Sequence, residues 1–66
     1  MAIQKAHDVL NDSGASTKMV QGCIDALRRE SQYVKYAITM NYRSASSGET
    51  VLKEIEDLTE KLNQKL

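Results

Sequence analysis

The sequence contains no proline, phenylalanine or tryptophan, and it has only one cysteine and three glycines among its 66 residues. Without proline, no side chain interrupts a helix by its own chemistry, so long helices are allowed. The single thiol, Cys23, excludes a disulfide within one chain. Cys23 and His7 are too few soft ligands for a closed zinc site, which takes four. We therefore expect neither a metal nor another cofactor.

Long apolar runs and an excess of charge of one sign are also missing. Nine basic and nine acidic residues give a net charge of zero, so the overall field favours neither nucleic acid nor an anionic membrane. No stretch approaches the roughly 20 apolar residues of a membrane span, and the N-terminus lacks the apolar run of a signal peptide. Together with the lone thiol, these absences predict a cytoplasmic protein that does not bind membranes.

The length of the chain, 66 residues, predicts a single domain (residues 1–66) with a small core. Below roughly 70–80 residues, a single core supplies only about 3–5 kcal/mol, and small domains usually need a further source of stability. Disulfides and zinc are excluded here, so self-association is the remaining source. A homodimer is therefore expected.

One pattern organises the rest of the sequence, and it lies in residues 17–45. Apolar and small residues follow each other there at alternating spacings of four and three, which is typical of a helix that packs along its length against other helices. The positions are Val20, Ile24, Leu27, Ser31, Val34, Ile38, Asn41 and Ala45. Gly22 is the only glycine in this stretch, so we predict one long helix over residues 17–45.

A strand is the alternative for residues 33–42. Apolar residues also alternate strictly here, and tyrosine, valine and isoleucine favour strands. The alternating positions are Val34, Tyr36, Ile38, Met40 and Tyr42. Such a strand would have no partner in this chain and would need to pair with a second copy. No glycine or proline separates it from the preceding helix, which favours the helix.

A shorter helix is predicted on each side of the long one. Residues 2–12 place Ile3, Ala6 and Leu10 on one face, and Gly14 follows where a helix end often needs a left-handed residue. Ser16 or Thr17 can then cap the long helix.

Residues 48–66 form the third predicted helix. Ser46 and Glu49 have the spacing of a capping box at its start, and Ser47 is a second candidate cap. Its apolar face contains Ile55, Leu58 and Leu62.

The predicted fold is therefore all-α, a small bundle of short, long and medium helices with antiparallel neighbours. We name the positions expected to hold it together the apolar seam: Val20, Ile24, Leu27, Val34, Ile38, Ile55, Leu58 and Leu62. At 1.5 Å per residue, the middle helix would span about 40 Å and its neighbours about 17 and 25 Å. Each neighbour could then cover half of the middle helix, and a second chain would close the part of the seam left open.

The opposite side of the middle helix carries the candidate partner-binding residues. They are Arg29, Tyr33, Tyr36, Met40 and Arg43. Tyrosine, methionine and arginine are enriched in protein interfaces, although a third helix could equally cover part of this face. The preferred hypothesis is a small regulatory or accessory protein that binds another protein through this surface.

Two other functions are weaker alternatives. Nucleic acid could bind through the tyrosines together with the basic residues Arg28, Arg29, Lys35 and Arg43. An enzyme is not expected, because His7 and Cys23 are the only conventional base and nucleophile. No orienting third group or phosphate-binding loop accompanies them.

Overall fold

The chain forms three α-helices in a computed structural model that describes residues 2–66. They are α1 (Ala2–Asn11), α2 (Thr17–Thr39) and α3 (Ala45–Lys65), and each packs against the other two. No strand occurs in residues 2–66. The predicted all-α bundle is therefore confirmed, and the strand alternative for residues 33–42 is wrong.

The core lies where all three helices meet, and every side chain in it is aliphatic or a thiol. Leu27 of α2 and Leu62 of α3 are completely buried at its centre. The buried residues of this cluster are Ala6, Val9, Val20, Cys23, Ile24, Leu27, Ile55, Leu58 and Leu62. Since α1 has only 10 residues, it covers only part of the longer α2–α3 pair.

At the other end of the molecule α2 packs against α3 alone. Val34 and Ala37 of α2 and Gly48 of α3 are buried there. Gly48 lies against Ile38: a Cβ atom built on Gly48 would be 2.7 Å from Ile38 Cγ1. The missing side chain of this glycine therefore lets the two helices approach closely.

The apolar seam is closed within one chain. Of its eight predicted residues, seven are buried and Ile38 is half-buried. The expectation that the neighbouring helices together leave part of the seam uncovered is wrong. The reason is length: α3 has 21 residues against 23 in α2, so it runs beside nearly the whole middle helix.

The middle helix ends at Thr39 instead of residue 45, because Asn41 takes a left-handed backbone conformation with φ of 61°. The Tyr42 N–H donates to the Ala37 carbonyl oxygen (2.8 Å), and the Asn41 N–H donates to that of Ile38 (3.1 Å). These two bonds form a Schellman motif, in which asparagine is the commonest substitute for glycine. Asn41 and Ala45 are consequently not part of the α2 packing face.

The first connection is stabilised by side-chain oxygens. Ser16 accepts a hydrogen bond from the Met19 N–H at 3.2 Å, which confirms it as one of the two predicted caps of the middle helix. Gly14 is not left-handed as predicted. Instead, its N–H donates to Asp12 Oδ1 at 2.9 Å, so an aspartate turn ends α1 at Asn11, one residue earlier than predicted.

The third helix begins at Ala45, three residues before the predicted start. Its cap is Ser44, whose hydroxyl accepts a hydrogen bond from the Ser47 N–H at 3.3 Å. The predicted cap Ser46 lies inside the first turn, where its carbonyl oxygen accepts from the Thr50 hydroxyl. The serine-rich stretch is therefore helical from Ala45 onward, and the connection between α2 and α3 comprises residues 40–44.

Ser44→Ala should lower the free energy of unfolding by about 1 kcal/mol, because it leaves a first-turn N–H of α3 without its acceptor. Ser46→Ala is the matched control, and we expect it to change that free energy by less than about 0.5 kcal/mol. Urea unfolding followed by circular dichroism measures both. A larger loss for Ser46→Ala would contradict the assignment of the cap.

Candidate partner-binding surface

The three tyrosines are the only aromatic residues in the chain, and none of them contributes to the core. Tyr33, Tyr36 and Tyr42 are 65%, 55% and 73% exposed. Aromatic side chains bury more area than any other type and usually dominate cores and interfaces. Since this core excludes them, their concentration at the α2–α3 end requires an explanation of its own.

Four of the five predicted partner-binding residues share one side of the helical spiral of α2. At about 100° per residue, they fall within an arc of about 60°. We call them the tyrosine surface: Arg29, Tyr33, Tyr36 and Met40. All four are exposed, and Met40, which caps the helix, is 45% exposed. No helix of the described chain covers this face.

Part of the aromatic cluster has a structural role. The rings of Tyr36 and Tyr42 meet edge to face, with centroids 6.3 Å apart. In the Schellman motif that ends α2, these are the positions whose side chains commonly touch across the helix end. This contact explains the position of the Tyr42 ring, and Tyr42 is not one of the five predicted partner-binding residues. It leaves Tyr33 and Met40 without a structural explanation.

The fifth predicted residue, Arg43, does not lie on the middle helix. It belongs to the connection after α2, because the helix has already ended at Thr39. Arg43 is half-buried, and its Nε–H donates to Ser47 Oγ at 3.2 Å. The guanidinium is thus attached to the first turn of α3 instead of extending the row of α2 side chains.

The other basic residues of α2 face a different direction. Arg28 and Lys35 lie roughly a third of a turn or more from the centre of the tyrosine surface. They line a shallow groove between α2 and α3, whose opposite wall carries Glu56 and Glu60. The four basic residues of the nucleic-acid alternative therefore do not share one surface with the tyrosines, and two of them lie opposite carboxylates.

The two candidate catalytic side chains are directed to different surroundings. Cys23 is only 5% exposed and lies within the core. His7 has an exposed side chain whose Nε2 is 3.4 Å from Glu54 Oε1 of α3. Within residues 2–66, no three histidine, cysteine, aspartate or glutamate residues are placed to hold a metal ion.

Comparison with protein families, characterised proteins and solved structures gives no match for this chain. None of the helices α1 to α3 is long and apolar enough to cross a membrane.

Proposed function

We propose that this protein is a small cytoplasmic regulatory or accessory protein, not an enzyme, that binds another protein through the tyrosine surface. The observation that carries the proposal is the exposure of Tyr33, Tyr36 and Met40 on one uncovered face of α2. Side chains of these types, clustered and desolvated on binding, supply most of the energy of protein interfaces. An exposed cluster of this kind is a typical sign of an interaction site.

The arrangement of charge supports a protein partner over nucleic acid. Proteins that bind nucleic acid align several basic side chains along the phosphate backbone. On the tyrosine surface only Arg29 is available, since Arg28 and Lys35 line the α2–α3 groove and Arg43 bonds to Ser47. One phosphate contact would give little affinity near physiological salt.

Tyr33→Ala combined with Met40→Ala should weaken capture of the partner about thirtyfold or more, because a buried anchor residue contributes about 2 kcal/mol or more. Tyr36 is left intact, so the Schellman motif and its ring contact remain. The measurement is quantitative pull-down from the native cytoplasm, with circular dichroism to verify that the variant keeps its helices.

Gln32→Ala is the matched control, because Gln32 is exposed on the same helix but outside the tyrosine surface. It should leave capture unchanged. Nuclease treatment and Arg29→Glu separate the two functions, since removing one phosphate-binding side chain lowers the salt slope of nucleic-acid binding by about 1. Capture that nuclease abolishes, or that Gln32→Ala weakens equally, would contradict the proposal.

A further inference from the structure

Helix α2 has a second row of positions beside the apolar seam. The row repeats at alternating spacings of four and three, as a helix does where it packs against another helix along its length. Its members are Met19, Cys23, Ala26, Glu30, Tyr33, Ala37 and Met40. We call it the lateral row. It passes from the half of α2 that α1 covers to the half that carries the tyrosine surface.

The first half of the lateral row packs against α1. Cys23 is buried in one cluster with Ala6 and Val9 of α1. Met19 and Ala26 line the cleft between the two helices, and Ala2 is among the α1 residues of this cleft. The 10 residues of α1 span about 15 Å, and the contact of this helix with α2 therefore ends near Ala26.

The second half of the row continues the same face beyond the end of α1, and no helix within residues 2–66 covers its two large apolar side chains. Tyr33 and Met40 project from it with 65% and 45% exposure. Between them lies the small side chain of Ala37, which is 6% exposed and borders the contact of α2 with α3. The alternation of large, small and large side chains resembles one side of a helix–helix contact, in which side chains of one helix fit between those of the other.

We propose that the partner presents a helix, and that this helix docks on the second half of the lateral row in line with α1. The inference rests on the proposed function and specifies the form of the partner segment. The distance from Ala26 to Met40 along α2 is about 21 Å, which a helix of about 14 residues covers. The α1–α2 contact shows that this face of α2 already accepts a helix, and the docked segment would continue that contact.

The side chains of the row also specify the chemistry of the docking helix. It needs apolar residues at spacings of three and four along the side that faces the row. Arg29, at the border of the row, is exposed, and it forms no ion pair with any carboxylate of residues 2–66. An acidic residue on the flank of the docking helix that faces Arg29 would therefore find a guanidinium without an ion-pair partner, and a basic residue would fit on the opposite flank, where the half-buried Glu30 lies.

The test extends the full chain at its N-terminus by 14 residues that continue α1 as a helix and repeat its apolar spacing. Two extensions are made, one with alanine and one with leucine at the positions that face Tyr33. At least one should dock, raise the melting temperature and slow amide exchange within the extension at least tenfold. The extended chain should also no longer capture the partner, because the docked segment occupies its site.

Tyr33→Glu combined with Met40→Glu is the disrupting variant, and Gln32→Glu is its matched control for added negative charge. The first should remove the exchange protection of the extension, and the second should keep it. The same glutamate substitutions are also made in the chain without an extension, and thermal unfolding verifies that both of these variants fold. If the doubly substituted chain is unfolded, Tyr33→Ser with Met40→Ser replaces it. Rapid exchange in both extensions, or protection that survives the disrupting variant, would overturn the inference.

The outcomes also separate this inference from the proposed function. If neither extension docks while Tyr33→Ala with Met40→Ala still weakens capture of the partner, the surface binds a protein segment that is not a helix, and only the helical form of the partner is rejected. If an extension docks but Tyr33→Ala with Met40→Ala captures the partner as well as the wild type does, the partner binds to another surface. That result overturns both the proposed function and the inference that the partner supplies the helix.

Discussion

Leu27→Ala should destabilise the protein by about 2–5 kcal/mol, since it removes a fully buried side chain and leaves a cavity where the three helices meet. Leu27 is 0% exposed and lies in the cluster formed by all three helices. The core of a domain of this size supplies only about 3–5 kcal/mol. We therefore expect the variant to be largely unfolded at 25 °C, with most of its helical circular dichroism signal gone.

The control makes the same chemical change outside the core. Leu66→Ala truncates a leucine that is 54% exposed at the end of α3, and we expect a change within about 0.5 kcal/mol in the free energy of unfolding. Urea unfolding of both variants measures the difference. Equal stability of the two would mean that the centre of the core is not at Leu27.

Alanine substitutions at two glycines should have opposite effects. Both replace glycine within a helix, and each should gain about 0.5–1 kcal/mol from helix propensity. A Cβ atom at Gly22 would meet nothing within 4 Å, whereas one at Gly48 would overlap with Ile38. Overpacking of this kind costs about 1–3 kcal/mol. Gly22→Ala should therefore raise the melting temperature, and Gly48→Ala should be less stable than Gly22→Ala by about that steric cost.

A double-mutant cycle identifies the source of the Gly48 effect. If the destabilisation comes from contact with Ile38, then Gly48→Ala should cost less in a chain that already carries Ile38→Ala, because the overlapping atoms are gone. Additive effects of the two substitutions would instead show that the destabilisation by Gly48→Ala does not come from contact with Ile38. Thermal unfolding of the four chains completes the cycle.

The apolar seam could be predicted from the sequence because its signal is regular and repeated. Helical packing needs apolar residues every three or four positions, and Val20, Ile24 and Leu27 satisfy that spacing without a competing pattern. Seven of the eight residues selected in this way are buried. The number and order of the helices follow from the same signal.

The end of α2 and the start of α3 could not be predicted, because each depends on a local backbone conformation or a tertiary contact. Asn41 fits the spacing of the seam, yet its left-handed conformation (φ of 61°) ends α2. Gly48 resembles a boundary residue in the sequence, yet it lies inside α3, where the lack of a side chain leaves room for Ile38 of α2. In both cases, the position of the residue depends on a local backbone conformation or a tertiary contact, and the periodicity of apolar residues does not reveal either.

The same limitation explains the differences at the candidate site. Tyr33, Tyr36 and Met40 could be placed on one face because helical periodicity extends to the end of α2. Arg43 and Tyr42 follow the helix end, where an angle of 100° per residue no longer applies. Tyr42 reaches Tyr36 only because the Schellman motif turns the chain back. A search for asparagine with apolar residues at the C″ and C4 positions would have found this motif.

The protein carries two intrinsic probes that report on different events, because its tyrosines lie outside the core and its only thiol lies inside it. Tyrosine absorbance and emission arise only from exposed rings at the α2–α3 end, so they should respond to docking of a partner more than to melting of the core. The single thiol, Cys23, is buried in the core, so its reaction with a thiol reagent measures how often the bundle opens. Occupancy of the tyrosine surface by a partner and opening of the helical bundle can thus be recorded separately on the unlabelled, wild-type chain.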